Sequence, residues 1–106
     1  MDRLYVIVRE DLVPAQQAVQ AMHAQRQFAA EHTEVERAWY ESSNTLALLA
    51  VPSITELDAL CDEARLHGFL SSAFREQDLG YTVTAITLEP RAKKLVRALP
   101  RALGGR

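Results

Sequence analysis

The sequence predicts a three-layer α/β/α fold, with a mixed four-stranded sheet and helices on both faces. Three observations predict it. Leu4 to Val8 is an unbroken apolar run rich in β-branched residues, the pattern of a central strand covered on both faces. Strand-like and helix-like stretches alternate through the first half of the chain, which calls for crossover connections and parallel pairing. The last two strand-like runs are joined by too few residues for a helical crossover. They form a hairpin, or lie as neighbours with an antiparallel member.

The elements follow in order. Arg9, Glu10 and Asp11 end the first strand, and Pro14 starts a helix with its φ already set for a first turn. At about 100° per residue, Gln16, Gln20, His23 and Gln27 fall within roughly 60° of one another, a stripe of amides and one imidazole. Ala18, Met22 and Ala29 lie on the other side, where a sheet is expected. The stripe starts beyond the carboxyl end of the first strand, where ligand sites of open α/β sheets gather. Glu31 to Thr33 reads as a break before a short second helix through Glu34, Val35, Ala38 and Trp39. Ser42-Ser43-Asn44 is a turn signal, and Thr45 to Val51 is a second apolar strand. Ser53 and Glu56 have capping-box spacing. Leu57, Leu60, Cys61 and Ala64 then repeat as the core face of a helix that Gly68 caps. Phe69 to Phe74 reads as a third strand, Glu76 to Gly80 as a polar connection and Tyr81 to Leu88 as a fourth strand. Pro90 begins a last basic helix that Pro100 stops.

Composition bounds the function. A chain of 106 residues suits one domain with one core, expected over residues 1–100, with a disordered basic tail at 101–106. No apolar run reaches the ~20 residues of a membrane span. Met-Asp-Arg runs straight into a strand and leaves no room for a signal peptide, and the single Cys61 cannot form an internal disulfide; a reducing cytoplasm is the expected compartment. Net charge is −2, not the surplus of a dedicated nucleic-acid binder. The charge is uneven, however: no acid follows Glu89, whereas Arg91, Lys93, Lys94, Arg97, Arg101 and Arg106 do. One cysteine and three histidines offer no zinc spacing, and no phosphate loop or nucleophile elbow is present, so neither metal nor cofactor is expected.

Two segments resemble a known family. Arg9-Glu10-Asp11-Leu12, followed by Ala15-Gln16-Gln17-Ala18-Val19-Gln20-Ala21-Met22-His23-Ala24, is similar to the opening of the second type of peptidyl-tRNA hydrolase, found in archaea and eukaryotes. That family opens with R-x-D-L and then G-K-x-A-A-Q-x-x-H-A. Thr82-Val83-Thr84 and Leu88-Glu89-Pro90 fit its last strand. There are departures. The family's glycine falls on Ala15, its lysine falls on Gln16, and its later loop is cut down to Glu76-Gln77-Asp78-Leu79-Gly80. These departures resemble a divergent branch, the peptidyl-tRNA hydrolase domain-containing proteins. The resemblance implies the same α/β/α architecture, tRNA as partner, a homodimer, and hydrolysis of the ester between peptide and tRNA. It also implies reduced activity, because the missing lysine belongs to the family's chemistry.

Such hydrolysis needs an activated water and a stabilised oxyanion. The candidates are Asp11, Gln16, His23, Thr82 and Thr84 for chemistry. Gln20, Glu76, Lys93, Lys94 and Arg97 are the candidates for binding substrate. Thr82 and Thr84 are two apart on a strand, so both hydroxyls are expected on one side. Each candidate has a plainer alternative: Asp11 as a turn residue, the Gln stripe as a solvated helix face, His23 as a surface histidine, the threonines as ordinary strand residues, and the basic segment as a solvated helix. Two functions therefore stand: the ester hydrolase, and a non-catalytic member that binds RNA or a protein through the same cleft.

Overall fold

The computed structural model describes residues 2–104. The chain runs β1 (Arg3–Arg9), α1 (Pro14–Glu31), α2 (Thr33–Ser42), β2 (Thr45–Val51), α3 (Ile54–Leu66), β3 (Ser71–Glu76), a 3-10 turn (Gln77–Leu79), β4 (Thr82–Leu88), a second 3-10 turn (Pro90–Ala92) and a single helical turn, α4 (Lys93–Val96). The sheet order is β2-β1-β4-β3. β1 pairs with β2 in parallel and with β4 antiparallel, and β3 and β4 form an antiparallel hairpin. The sheet is therefore mixed, as the alternating first half and the short last connection require.

Both faces are covered, and the alternation of β1 explains how. Tyr5 and Ile7 join Leu57, Leu60, Ala64, Val83, Ile86, Ala92 and Val96 on the side of α3 and α4. Val6 and Val8 join Ala21, Ala24, Ala50 and Ala85 under α1. Leu4 meets Phe28 and Trp39, where α1 and α2 come together. The whole run Leu4 to Val8 is buried, which is why it lacks a polar alternation.

Several expectations are corrected. The third strand lies at Ser71–Glu76, two residues later than the apolar run suggests. Gly68, at φ +74°, ends α3 in a left-handed turn, with Phe69 N–H on the Ala64 carbonyl. Phe69 and Leu70 are used up in the crossing, and Leu70 N–H donates to Glu89 Oε2. Tyr81 is not in β4: it sits at φ +60°, after Gly80 at φ +68°, and strands do not hold that conformation. The basic helix does not run from Pro90 to Pro100, because α4 is one turn that ends at Val96. Ser53 does not cap α3 through the backbone; its hydroxyl donates to Glu56 Oε1. Arg101 and Ala102 lie along β2, with Ala102 N–H on the Leu48 carbonyl, while residues 105–106 lie outside the described part of the chain. No described helix is long and apolar enough to cross a membrane.

Candidate active site

α1 packs across β3 and β4, and its polar stripe determines what that seam contains. The stripe does not face away from the sheet. Gln17, Gln20, Ala21, Ala24 and Phe28 are the buried residues of α1, whereas Met22 is exposed. Ala21 and Ala24 supply the apolar contact beneath β1 and β4. Gln20, one position from Ala21, is thereby carried under the sheet and is fully buried. A buried amide must find partners, and it finds them on β4 and β3.

Thr84 Oγ1 donates to Gln20 Oε1 at 2.8 Å. Gln20 Nε2 donates to Glu76 Oε1 and to Gln16 Oε1, each at 3.1 Å. One amide therefore ties together three other sequence-expected residues, Gln16 of α1, Glu76 of β3 and Thr84 of β4. A bulge makes this possible. Phe74 pairs with Ala85 and Arg75 with Val83, so Thr84 is an extra residue on β4, fully buried beneath α1. The seam continues along α1. The His23 ring stacks on Phe74, with centroids 4.5 Å apart and planes within 9°. Gln27 Nε2 donates to the Ala73 carbonyl, and Ser72 Oγ donates to Glu31 Oε1. His23 itself is exposed at the rim.

Asp11 and Thr82 stand apart from this network. Asp11 forms a two-pronged ion pair with Arg9, Nε to Oδ1 at 3.0 Å and Nη2 to Oδ2 at 2.8 Å. That hydrogen-bonded guanidinium holds the Asp11 carboxyl below its ordinary range. Arg9 also donates to the Val83 carbonyl and, at 3.4 Å, to Thr82 Oγ1. Thr82 spends its own proton on the Leu79 carbonyl. The two threonines share no partner: Thr84 belongs to the seam and Thr82 to its turn. Lys93, Lys94 and Arg97 are exposed on and just after α4, on the opposite side of the sheet from α1.

Sequence reading missed Arg9 and Gln17 as organising residues. Gln17 Nε2 donates to the Leu12 carbonyl at 2.6 Å and so fastens the β1–α1 loop beneath the helix. Its signal was its place three residues before Gln20, on the buried side of the same helix. Arg9 closes the carboxyl end of β1 against β4, a long-range contact that no local pattern reports. Surface depressions of about 630 and 790 Å³ occur elsewhere, along β2 and along the β3 edge. Neither takes in Gln16, Gln20 or Glu76. Among the described residues no group of three or more His, Cys, Asp or Glu is placed to hold a metal ion. Cys61, half-buried on α3, has its thiol pushed up to about 11 by burial and is protonated at neutral pH.

The geometry offers a carboxylate, a threonine hydroxyl and two amides gathered by one helix. A search of curated proteins gave no match. A family model described as peptidyl-tRNA hydrolase PTH2 matches residues 3–104, from the start of β1 through the segment that lies along β2. With that match over nearly the whole chain, the protein belongs to the PTH2 peptidyl-tRNA hydrolase family.

Proposed function

We propose that the protein hydrolyses the ester bond between peptide and tRNA, at a rate lowered by Gln16 at the position of the family's lysine. The observation that carries this reading is the Gln20 amide, which joins Thr84, Glu76 and Gln16 in one hydrogen-bonded set. In this reading Glu76, half-buried at the end of β3, takes the proton of the attacking water as that water adds to the ester carbonyl, and returns it to the ribose oxygen as the acyl C–O bond breaks and the tRNA hydroxyl leaves. Gln16 lies exposed at the start of α1, and its Oε1 is the atom that meets Gln20. Its amide N–H faces the developing oxyanion, a neutral donor where a lysine would add charge. Thr84 and Gln20 are positioning residues: they fix the Glu76 carboxylate and the Gln16 amide relative to each other. Arg9 holds Asp11 and the β4 start, keeping the loop before α1 in place.

The test is turnover of an N-blocked aminoacyl-tRNA. Glu76→Gln is expected to lower the rate by about 10²–10⁴-fold. Gln16→Lys is expected to raise it by about 10²–10³-fold, the usual worth of a strong oxyanion donor. An unchanged rate in Glu76→Gln rejects the assignment of the base. The alternative is a non-catalytic member that binds RNA or a protein through the same seam. It is favoured by the closure of that seam: Gln20 and Thr84 satisfy each other and neither is exposed. Absence of turnover in both the native protein and Gln16→Lys would select it.

A further inference from the structure

Along the β2 edge, for the most part on the α3 and α4 side of the sheet, runs a groove of about 630 Å³, to which Leu48 and Ala102 of the α1-side cluster also contribute. Its floor is apolar, with Tyr5, Leu49 and Val96 from the core of that side. Its rim is Arg3, Lys93, Arg97 and Arg101, and no aspartate or glutamate lines it. All four cations are exposed, and none takes part in an ion pair among the described residues. They come from β1, from α4 and the residue after it, and from the segment that bridges Leu49. The fold therefore gathers them, in a chain whose net charge is −2. Three of the four are arginines, whose planar forks match phosphate oxygens two at a time.

We infer that this groove holds the sugar–phosphate backbone of RNA, at a site separate from the Gln20 seam on the other face of the sheet. The inference deepens the functional proposal and rests on it for the choice of RNA. An extended acidic peptide is disfavoured because the chain's own C-terminal segment already occupies that stretch of edge: Ala50 N–H meets the Pro100 carbonyl and Ala102 N–H meets the Leu48 carbonyl. Strand addition is therefore blocked from Leu48 to Ala50. A second copy would bring like charges together. Edge cations also discourage sheet-to-sheet association, but that role alone gives no salt-dependent RNA binding.

The experiment titrates the full chain with fluorescently labelled deacylated tRNA across a salt series. The probe carries no ester, so the result is independent of catalysis. Each lost phosphate contact removes about 0.7–0.9 from the slope of log affinity against log salt. Arg3→Gln/Arg97→Gln/Arg101→Gln is expected to reduce the slope by about 2 to 3 on that scale, whereas the same three positions changed to lysine keep it. Glu76→Gln, which tests the reaction, is expected to keep the tRNA slope. An unchanged slope in the glutamine triple variant overturns the inference. So does a parallel titration in which poly-glutamate binding, and not tRNA binding, is lost in that variant.

Discussion

The α3 side of the sheet is closed by Leu57, Leu60 and Ala64 against Val83, Ile86 and Leu88, without a buried amide among them. The α1 side buries Gln17, Gln20, Thr84 and Thr87 beside alanines. Both helices pack on the same β1 and β4. Apolar burial gains free energy wherever it occurs, whereas a buried amide or hydroxyl costs free energy unless its partner is in place. The α3 side therefore acts chiefly as the stabilising face. The α1 side gives up some stability and gains a fixed polar geometry in return.

The largest effect that sharpens this contrast is Leu57→Ala. It should cost about 2–5 kcal/mol in urea unfolding, as expected for a fully buried leucine. Turnover per folded molecule should stay unchanged. If the loss is no larger than that of a seam variant, the division between the two faces breaks.

Next in size is a double-mutant cycle across the seam. Thr84→Val removes the donor to Gln20 Oε1 and should cost about 1–3 kcal/mol. Gln20→Leu leaves the Thr84 hydroxyl with only its 3.4 Å approach to the Phe74 carbonyl and should cost a similar amount. The double variant should recover much of the stability while losing turnover. Simple additivity of the two losses would show that the pair is not coupled.

A pH series probes the other end of β4. Glu89 is 3% exposed; it accepts from Arg91 Nε at 2.7 Å and from the Leu70 amide at 2.6 Å. The Arg91 hydrogen bond first, and then the Leu70 amide against the opposing cost of burial, hold its carboxyl below the ordinary 4.5. A carboxyl lowered in the folded state stabilises fully above its unfolded value, and that contribution is lost as pH falls through the folded value. Stability should therefore drop below about pH 4.5 more steeply in the native protein than in Glu89→Gln. Parallel curves for the two would remove Glu89 from the acid response. Asp11 is shifted in the same direction but is more exposed, and Asp11→Asn should flatten the curve less.

The smallest effect is a gain. Thr87 Oγ1 is buried on β4 without a hydrogen-bond partner among the described residues. Thr87→Val keeps the shape and removes the unpaired hydroxyl, so it should raise stability by up to about 1 kcal/mol. A loss would mean that the hydroxyl has a partner of its own, such as an ordered water.

Local pattern was enough for the apolar strands, for Pro14 and Gly68 as helix bounds and for the core face of α3, because period and turn chemistry act over a few neighbouring residues. It failed where distant contacts decide. Phe69 and Leu70 look like strand, but Glu89 recruits the Leu70 amide and the ladder starts later. Met22 looks buried on a helical wheel. The sheet lies instead under Gln20, Ala21 and Ala24, because a small-residue face allows close approach and Gln20 has partners there.

The sequence by itself determined the layer architecture, the candidate residues Gln16, Gln20, His23, Glu76 and Thr84, and the family, since each rests on short-range pattern or on matched residues. Only the tertiary structure decided which of those residues meet. Thr84 reaches Gln20 because a bulge adds it to β4 beneath α1. Thr82, two residues away, is kept by the Leu79 carbonyl, and Asp11 is kept by Arg9. Side-chain identity fixes what a group can donate or accept. Register, bulge and helix rotation, set by the packing of the whole sheet, fix with whom.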